Sequence, residues 1–191
     1  MPVPMDGGRG TQQRRDRQRA KRTSPESDTG RLVTVCGLPG VGKTLVSERI
    51  ADRLDGRLIR TDVVRKELFP EPEYTSAERQ SVYDELFSRG RESIQNGTPA
   101  VLDATFRKRE DRDRAASVAT AADVPLEIVQ VECDTQVVRE RIAAREDDES
   151  DADFEIYLKF RDRFEHIERE HETVDNSGDM AETRRQIDAM F

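Results

Sequence analysis

Residues 37–44 combine three glycines with a lysine and a threonine at the spacing of a phosphate-binding loop. The run GLPGVGKT fits the pattern G-x-x-x-x-G-K-[ST], between an apolar β-branched run and a helix-like one. Glycine lets the backbone turn successive N–H groups towards one phosphate, and the following helix N-terminus adds partial positive charge. In such loops the lysine reaches the terminal phosphates and the threonine hydroxyl ligates Mg²⁺. The predicted nucleotide-binding residues are Gly37, Leu38, Pro39, Gly40, Val41, Gly42, Lys43 and Thr44.

Asp62 and Arg65 follow a second strand-like run and are three residues apart, which places both on one face of a helix. Near the terminal phosphate, a carboxylate there can accept the proton of an incoming hydroxyl. Arg65 can hold the acceptor or a phosphate oxygen. A helix N-cap with a surface ion pair accounts equally well for the two residues, so both interpretations stay open at this point.

Asp103 ends the third strand-like run, where an acidic residue can hold Mg²⁺ directly or through water. Together with Thr44 it makes the predicted metal site. A plain cap at the strand end is the alternative for this aspartate. Arg107, Arg109 and Arg112 begin the next predicted helix, and a solvated face is the favoured interpretation for all three.

Arg141 and Arg145 lie one helical turn apart and lead into an acidic run. They share a helix side with Val137 and Val138, which favours a direction towards the sheet. From there they can close over the phosphates and stabilise the transferring charge, as an arginine finger supplied by the same chain. Pairing with acidic neighbours four residues away is the alternative.

Strand-like and helix-like runs alternate along the chain and place the candidate residues after the strands. The predicted strands cover 31–36, 57–61, 99–105, 126–133 and 172–177. The first predicted helix follows the glycine loop, and the second runs from Asp62 to Phe69. Four more cover residues 75–95, 108–122, 135–145 and 179–190. One further helix is predicted from the spacing of Phe154, Leu158, Phe164 and Ile167. This alternation predicts an α/β fold with a parallel sheet and right-handed crossovers. Ligands bind beyond the carboxyl ends of such strands.

The length of 191 residues suits one α/β domain, over residues 31–191, preceded by a disordered basic tail over residues 1–30. The tail has seven basic and four acidic residues, a net charge of +3, against −8 for the whole chain. The domain is left with a net charge of −11, which disfavours a nonspecific nucleic-acid surface. A solvated tail is the favoured interpretation of the basic residues, and contact with nucleic acid or an acidic partner is the alternative.

Cys36 and Cys133 show no CxxC or Cys/His spacing, which predicts small buried thiols in a reducing compartment. No apolar run approaches the 18 residues of a membrane span, and no signal-peptide pattern is present. We therefore expect a soluble, cytoplasmic protein without membrane contact. His166 and His171 have the pattern of surface residues at helix ends and receive no role.

The segments GLPGVGKT, TDVVRKELF, VLDATF and RERIAARE, in this order, resemble a family of P-loop kinases. This is the predicted-kinase group also known as AAA-family ATPases, with phage polynucleotide kinase, zeta toxins and chloramphenicol phosphotransferase as relatives. The resemblance covers residues 31 to about 178. It implies a P-loop NTPase fold with a five-stranded parallel sheet of adenylate-kinase type, helices on both faces and a small lid. It also implies Mg²⁺-dependent phosphoryl transfer from ATP to a hydroxyl.

The resemblance also implies residue roles. Asp62 corresponds to the general base and Arg65 to the residue that positions the acceptor. Asp103 matches the acid at the end of the third strand, and Arg141 and Arg145 match the lid arginines.

Lys43 completes the predicted catalytic set, and Asn176 falls where relatives approach the nucleobase. We expect a kinase acting on a small-molecule or nucleotide-like acceptor, with ATP and Mg²⁺ as cofactors. A 5′-hydroxyl polynucleotide kinase is an alternative that the acidic domain does not favour. A slow ATP-hydrolysing switch or toxin-like interaction protein is a second alternative. The identity of the acceptor is not encoded in any of these motifs.

Overall fold

Five parallel strands form the centre of the fold, in a computed structural model that describes residues 30–144 and 154–191. The strands lie in the order β2-β3-β1-β4-β5, and every paired neighbour is parallel. The predicted α/β fold with a five-stranded parallel sheet is therefore confirmed. The strands are β1 (Leu32–Cys36), β2 (Arg57–Arg60), β3 (Ala100–Asp103), β4 (Leu126–Glu132) and β5 (Glu172–Asp175).

Helices connect the strands and cover both faces of the sheet. They are α1 (Lys43–Leu54), α2 (Thr61–Leu68), α3 (Ser76–Gln95), α4 (Arg109–Ala121), α5 (Thr135–Ala143), α6 (Phe154–Arg161) and α7 (Met180–Met190). Side-chain caps fix two of the N-termini. The Thr75 hydroxyl accepts from the Glu78 N–H at α3, and the Asp179 carboxylate accepts from the Glu182 N–H at α7. None of the described helices has the length and apolar character needed to cross a bilayer.

Two apolar cores lie on opposite faces of the sheet. Leu32 and Cys36 of β1 pack in the core under α3 and α4, whereas Val33 and Val35 pack in the core under α1 and α7. Side chains alternate between the faces of a strand, so a central strand covered on both faces is mostly apolar. In β1 all five residues are buried, and the hydroxyl of Thr34, the polar one, donates to the Glu127 carbonyl.

The register of the strands gathers their carboxyl ends at one edge. Asp103 at the end of β3 pairs with Val35 of β1 on one side and with Arg60 of β2 on the other. The phosphate loop follows β1 directly, and Asp62 follows β2 by two residues. The fold therefore places the loop and both predicted carboxylates at the same edge of the sheet.

Some predicted boundaries are wrong. Helix α2 begins at Thr61, so Asp62 lies in its first turn and is not the N-cap. Helix α6 ends at Arg161, short of Phe164 and Ile167, which the apolar spacing placed in the same helix. The predicted tail and the end of the helix predicted over 135–145 fall in residues 1–29 and 145–153, outside the described residues.

Candidate active site

The phosphate loop has the backbone that its glycines predict. Gly40 and Gly42 have φ angles of 83° and 90°, in the left-handed region that a side chain disfavours. A Cβ at Gly40 would lie 2.8 Å from Val138 Cγ1, and one at Gly42 would lie 2.1 Å from Asn176 Nδ2. Both positions therefore require glycine for conformation and for space.

Lys43 begins α1 and folds back across the loop. Its Nζ donates to the carbonyl oxygen of Leu38 at 3.0 Å. This contact holds the ammonium group at the mouth of the loop, beside the N-terminus of α1. A helix N-terminus and an ammonium group together attract phosphate oxygens.

Two hydroxyl oxygens lie beside the carboxylate of Asp103, whose residue surface is only 5% exposed. Asp103 Oδ2 lies 3.4 Å from Thr44 Oγ1 and 3.1 Å from Ser47 Oγ, and both hydroxyls donate to it. Burial raises the pKa of Asp103, while the positive charges of Lys43 and Arg60 act in the opposite direction. The protein therefore holds a buried carboxylate and the Thr44 hydroxyl side by side.

This oxygen set fits Mg²⁺, which is commonly bound by one or two protein oxygens with the remaining ligands from water and phosphate. Across residues 30–144 and 154–191, no three His, Cys, Asp or Glu side chains are grouped to hold a metal ion. A magnesium ion at Thr44 and Asp103 would thus depend on nucleotide phosphates for further ligands. The arrangement suits an ion that arrives with a nucleotide.

Arg60 and Ser47 belong to this cluster but carried no prediction. Arg60 Nη2 donates to Thr44 Oγ1 at 3.1 Å, and Arg60 Nε lies 3.8 Å from Asp103 Oδ2. The signal for Arg60 is its place at the carboxyl end of β2, beside Asp103 in the register. Ser47 lies one helical turn after Thr44, on the buried face of α1.

Asp62 lies in the first turn of α2, half-buried, and lines the same cavity as Lys43 of the phosphate loop. Burial raises its pKa above the ordinary value of an aspartate, Lys43 opposes that shift, and the charge of Asp103 adds to it. A carboxylate with a raised pKa is a stronger base than an exposed one. The environment of Asp62 therefore suits proton acceptance.

A cavity of about 350 Å³ opens between the phosphate loop and α2, α3 and α6. Lys43, Asp62 and Asp103 contribute its charged end. Three aromatic rings line it as well, and this volume lies within the range of small-molecule sites. The aromatic residues are Tyr74, Tyr83 and Phe160, and the remaining lining is Pro39, Thr61, Arg65, Arg79, Thr105 and Ile156.

Two arginines line the cavity. Arg65 has its guanidinium 5.0 Å from the centre of the Tyr74 ring, and its Nη1 lies 3.8 Å from Glu78 Oε2. Arg79 was not predicted; it pairs with the buried carboxylate of Asp111. The structure thus places Arg65 in the same cavity as Asp62, with Glu78 as an ionic partner.

Arg141 lies beside the phosphate loop. Its Nη1 is 3.5 Å from Cys133 Sγ and 3.6 Å from the point that a Cβ on Gly42 would occupy. Arg145, the other predicted lid arginine, lies outside the described residues. Asn176 directs its amide at the loop itself, since Nδ2 donates to the Val41 carbonyl at 2.8 Å.

The solvated face predicted for the arginines of α4 is wrong for Arg112, which is only 2% exposed. Its guanidinium donates to the carbonyl oxygens of Phe106, Glu165 and His166 at 2.7 to 2.9 Å. The Glu165 N–H donates to the Arg107 carbonyl at 3.0 Å and not to a helical carbonyl, so the segment after α6 is held against the start of α4. Arg109 keeps the predicted exposure.

The two cysteines differ in burial. Cys36 is fully buried, and burial raises the pKa of its thiol to about 12, so it stays protonated. Cys133 is half-buried, contrary to the predicted burial, and burial also raises its thiol pKa. Neither thiol has the lowered pKa of a nucleophile.

The sequence profile of a family described as an AAA domain matches residues 32–167, more than half of the chain. Uncharacterized proteins of Mycobacterium tuberculosis and Mycobacterium bovis are 32% identical to the chain over 142 residues. The match covers 67% of this chain and 28% of each relative. The chain therefore spans less than a third of the length of these curated relatives.

Several solved structures share the fold, and two of the following three are kinases. A gluconokinase from Sinorhizobium meliloti has a TM-score of 0.64 at 24% identity, over 84% of this chain and 90% of that one. The APS kinase of Mycobacterium tuberculosis, solved with AMPPNP and APS, has a TM-score of 0.66 at 16% identity, over 85% and 97%. Kti12 from Chaetomium thermophilum, solved with ADP-AlF3, has a TM-score of 0.65 at 20% identity, over 83% and 96%. By its sequence match the chain belongs to the AAA domain family, and it shares its fold with these solved structures.

Proposed function

We propose that the protein is an Mg²⁺-dependent kinase that transfers the γ-phosphate of ATP to a hydroxyl of a small-molecule or nucleotide-like acceptor. The observation that carries the proposal is the shared cavity of Asp62, Lys43 and Asp103. A carboxylate suited to proton acceptance, a phosphate-binding lysine and a magnesium ligand surround one space of small-molecule size. That combination is what phosphoryl transfer to an alcohol requires.

The reaction takes place where the cavity meets the phosphate loop. Asp62 orients the acceptor hydroxyl and takes its proton as the acceptor oxygen bonds to the γ-phosphorus. The bond between that phosphorus and the β–γ bridging oxygen breaks, and ADP leaves. Lys43 neutralises charge on the transferring group. Thr44 and Asp103 would hold Mg²⁺, which would supply further charge neutralisation.

The lid arginines complete this scheme. Arg141 already lies beside Gly42 at the end of the phosphate loop. A guanidinium there faces the phosphates of a bound nucleotide and stabilises the charge that develops during transfer. We assign the same role to Arg145, as the next helical turn of the same predicted helix.

The cavity supports a small acceptor. A volume of about 350 Å³ suits one compact molecule, and the rings of Tyr74, Tyr83 and Phe160 offer flat surfaces for packing. Arg65 lies on the same wall and can donate to acceptor oxygens. The charge of −11 on residues 31–191 disfavours the backbone of a long nucleic acid.

The test is transfer of labelled phosphate from ATP to a panel of sugars, sugar acids, nucleosides and 5′-hydroxyl oligonucleotides. We expect a product from one small-molecule class, abolished in Lys43→Ala and in Asp62→Asn. Transfer to the oligonucleotides alone would favour a polynucleotide kinase. Release of phosphate to water alone, across the whole panel, would favour a slow hydrolytic switch and reject the kinase.

A further inference from the structure

The side chain of Asn176 connects the end of β5 to the phosphate loop. Its residue surface is 4% exposed. Nδ2 donates to the Val41 carbonyl at 2.8 Å, and Oδ1 accepts from Thr183 Oγ1 at 2.8 Å. A carbonyl oxygen only accepts, so Nδ2 must face Val41 and Oδ1 must face the hydroxyl. The Val41 carbonyl therefore fixes which way the amide is turned, and Thr183, which is fully buried, holds the oxygen end of the amide in place by donating its hydroxyl.

The Val41 carbonyl belongs to the peptide group that leads into Gly42. A trans peptide is planar, and its C=O and N–H point in opposite directions. Holding the Val41 oxygen against Asn176 therefore directs the Gly42 N–H away from Asn176. Gly42 is the last residue before Lys43, where the loop N–H groups of this motif face phosphate.

The contact is tight and is anchored in the sheet. A Cβ at Gly42 would lie 2.1 Å from Asn176 Nδ2, so the loop backbone packs directly on the amide. The backbone N–H of Asn176 donates to the Glu132 carbonyl at 2.8 Å, at the end of β4. The amide thus has little freedom to move without moving the loop.

We propose that Asn176, held in place by Thr183, is a positioning residue that fixes the Val41–Gly42 peptide in the orientation that receives phosphate. The proposal rests on the nucleotide-binding part of the proposed function. It replaces the expected contact of Asn176 with the nucleobase. Both residues follow residue 167, where the match to the AAA domain family ends. The contact of Asn176 with Thr183 and Val41, called the Asn176 lock below, therefore couples β5 and α7 to a loop that lies inside the matched region.

Isosteric variants test the Asn176 lock, and the measured quantities are the Kd values for ATP and for inorganic tripolyphosphate. Asn176→Asp keeps the size of the side chain and the contact with Thr183, but replaces the donor to Val41 by an oxygen. We expect Kd for both probes to rise by about tenfold or more, the scale of one unmade buried hydrogen bond. Thr183→Val should raise both Kd values by about threefold to tenfold, and Thr183→Ser should restore them to within about twofold.

Gln186→Ala is the matched control. Gln186 bonds the backbone of Asp175 through both atoms of its amide and so joins α7 to β5 without touching the loop. This variant should lower Tm but leave both Kd values within about twofold of the wild type. If Asn176→Asp does not fold, the Thr183→Val and Thr183→Ser pair decides by itself.

Four results would overturn the proposal. Weaker ATP binding with unchanged tripolyphosphate binding would place Asn176 at the nucleobase. A lower Tm with unchanged Kd for both probes would make the contact structural only. Nucleotide binding by the loop would be rejected if the wild-type protein bound neither probe, or if Lys43→Ala bound both normally. The proposed role of Asn176 would then be rejected as well.

Discussion

Arg60 Nη2 donates to Thr44 Oγ1 at 3.1 Å, so a guanidinium lies against the hydroxyl that we propose as a magnesium ligand. The same guanidinium has its Nε 3.8 Å from Asp103 Oδ2. A positive charge at this position repels a second cation and weakens its binding.

Removing the charge of Arg60 should therefore make magnesium binding easier. We expect Arg60→Gln to lower the Mg²⁺ concentration for half-maximal ATP turnover by about threefold or more. The Mg²⁺-dependent increase of Tm, measured with ADP present, should shift in the same direction. Arg60→Lys keeps the charge and serves as the control. A higher Mg²⁺ requirement in Arg60→Gln would mean that Arg60 helps to assemble the metal site.

Asp62 should control the acid side of the pH profile. Its pKa is raised by burial, and only the ionised form accepts a proton, so kcat/KM should rise with pH through the raised pKa and then level off. Asp62→Asn should lower kcat by about 10²- to 10⁴-fold and remove this acid limb. Kd for ATP should change by less than about threefold, because the acceptor and not the nucleotide contacts Asp62. Equal losses of ATP binding and transfer would contradict the assignment.

The buried carboxylate of Asp103, our proposed magnesium ligand, should lower the stability of the fold at neutral pH. Burial raises its folded-state pKa, so this carboxyl favours the fold at low pH and loses that contribution as pH rises through the raised pKa. In metal-free buffer at neutral pH, Asp103→Asn should therefore raise Tm, by about 2–4 °C for 1 kcal/mol. The gain should shrink as the pH is lowered, in a thermal melt series from neutral to acidic pH. A lower Tm at neutral pH would show that the pairing with Arg60 outweighs burial.

Arg112 should stabilise the fold more than any exposed arginine of α4. Arg112→Ala leaves buried carbonyls of the segments around Phe106 and Glu165 without their donor, at a cost of about 3 kcal/mol. Arg109→Ala, on the same helix, removes only the exposed ion pairs with Asp113 and Glu168 and should cost less than about 0.5 kcal/mol. Urea unfolding of both variants measures the difference. Similar values for the two would contradict the role of Arg112.

The parts of the site that depend on local spacing were predictable. The phosphate loop is a contiguous motif, and its glycine conformations follow from its own residues. Asp62 and Asp103 could be placed together because parallel strands end at one edge of a sheet. The regular alternation of strands and helices gave the fold class by the same logic.

The parts that depend on distant partners were not predictable from one sequence. Arg112 bonds carbonyls 53 and 54 residues away, in a segment whose apolar spacing imitated a helix. Arg79 pairs with Asp111, 32 residues away, so this ion pair cannot be read from the pattern of its own helix. The contact between the Asn176 amide and the Val41 carbonyl joins residues 135 positions apart, so only the fold shows it. In each case the partner is set by packing, and no local pattern encodes it.

The central position of β1 has an evolutionary consequence. On one side of β1 lie β2 and β3, together with the cavity walls that α2 and α3 provide. On the other side lie β4 and β5, together with the contact of Asn176 with the phosphate loop. Mutations on the first side can remodel the acceptor cavity while the loop keeps its support from the second side. A family built on this plan can diversify its acceptor cavities without rebuilding the loop that we propose binds ATP.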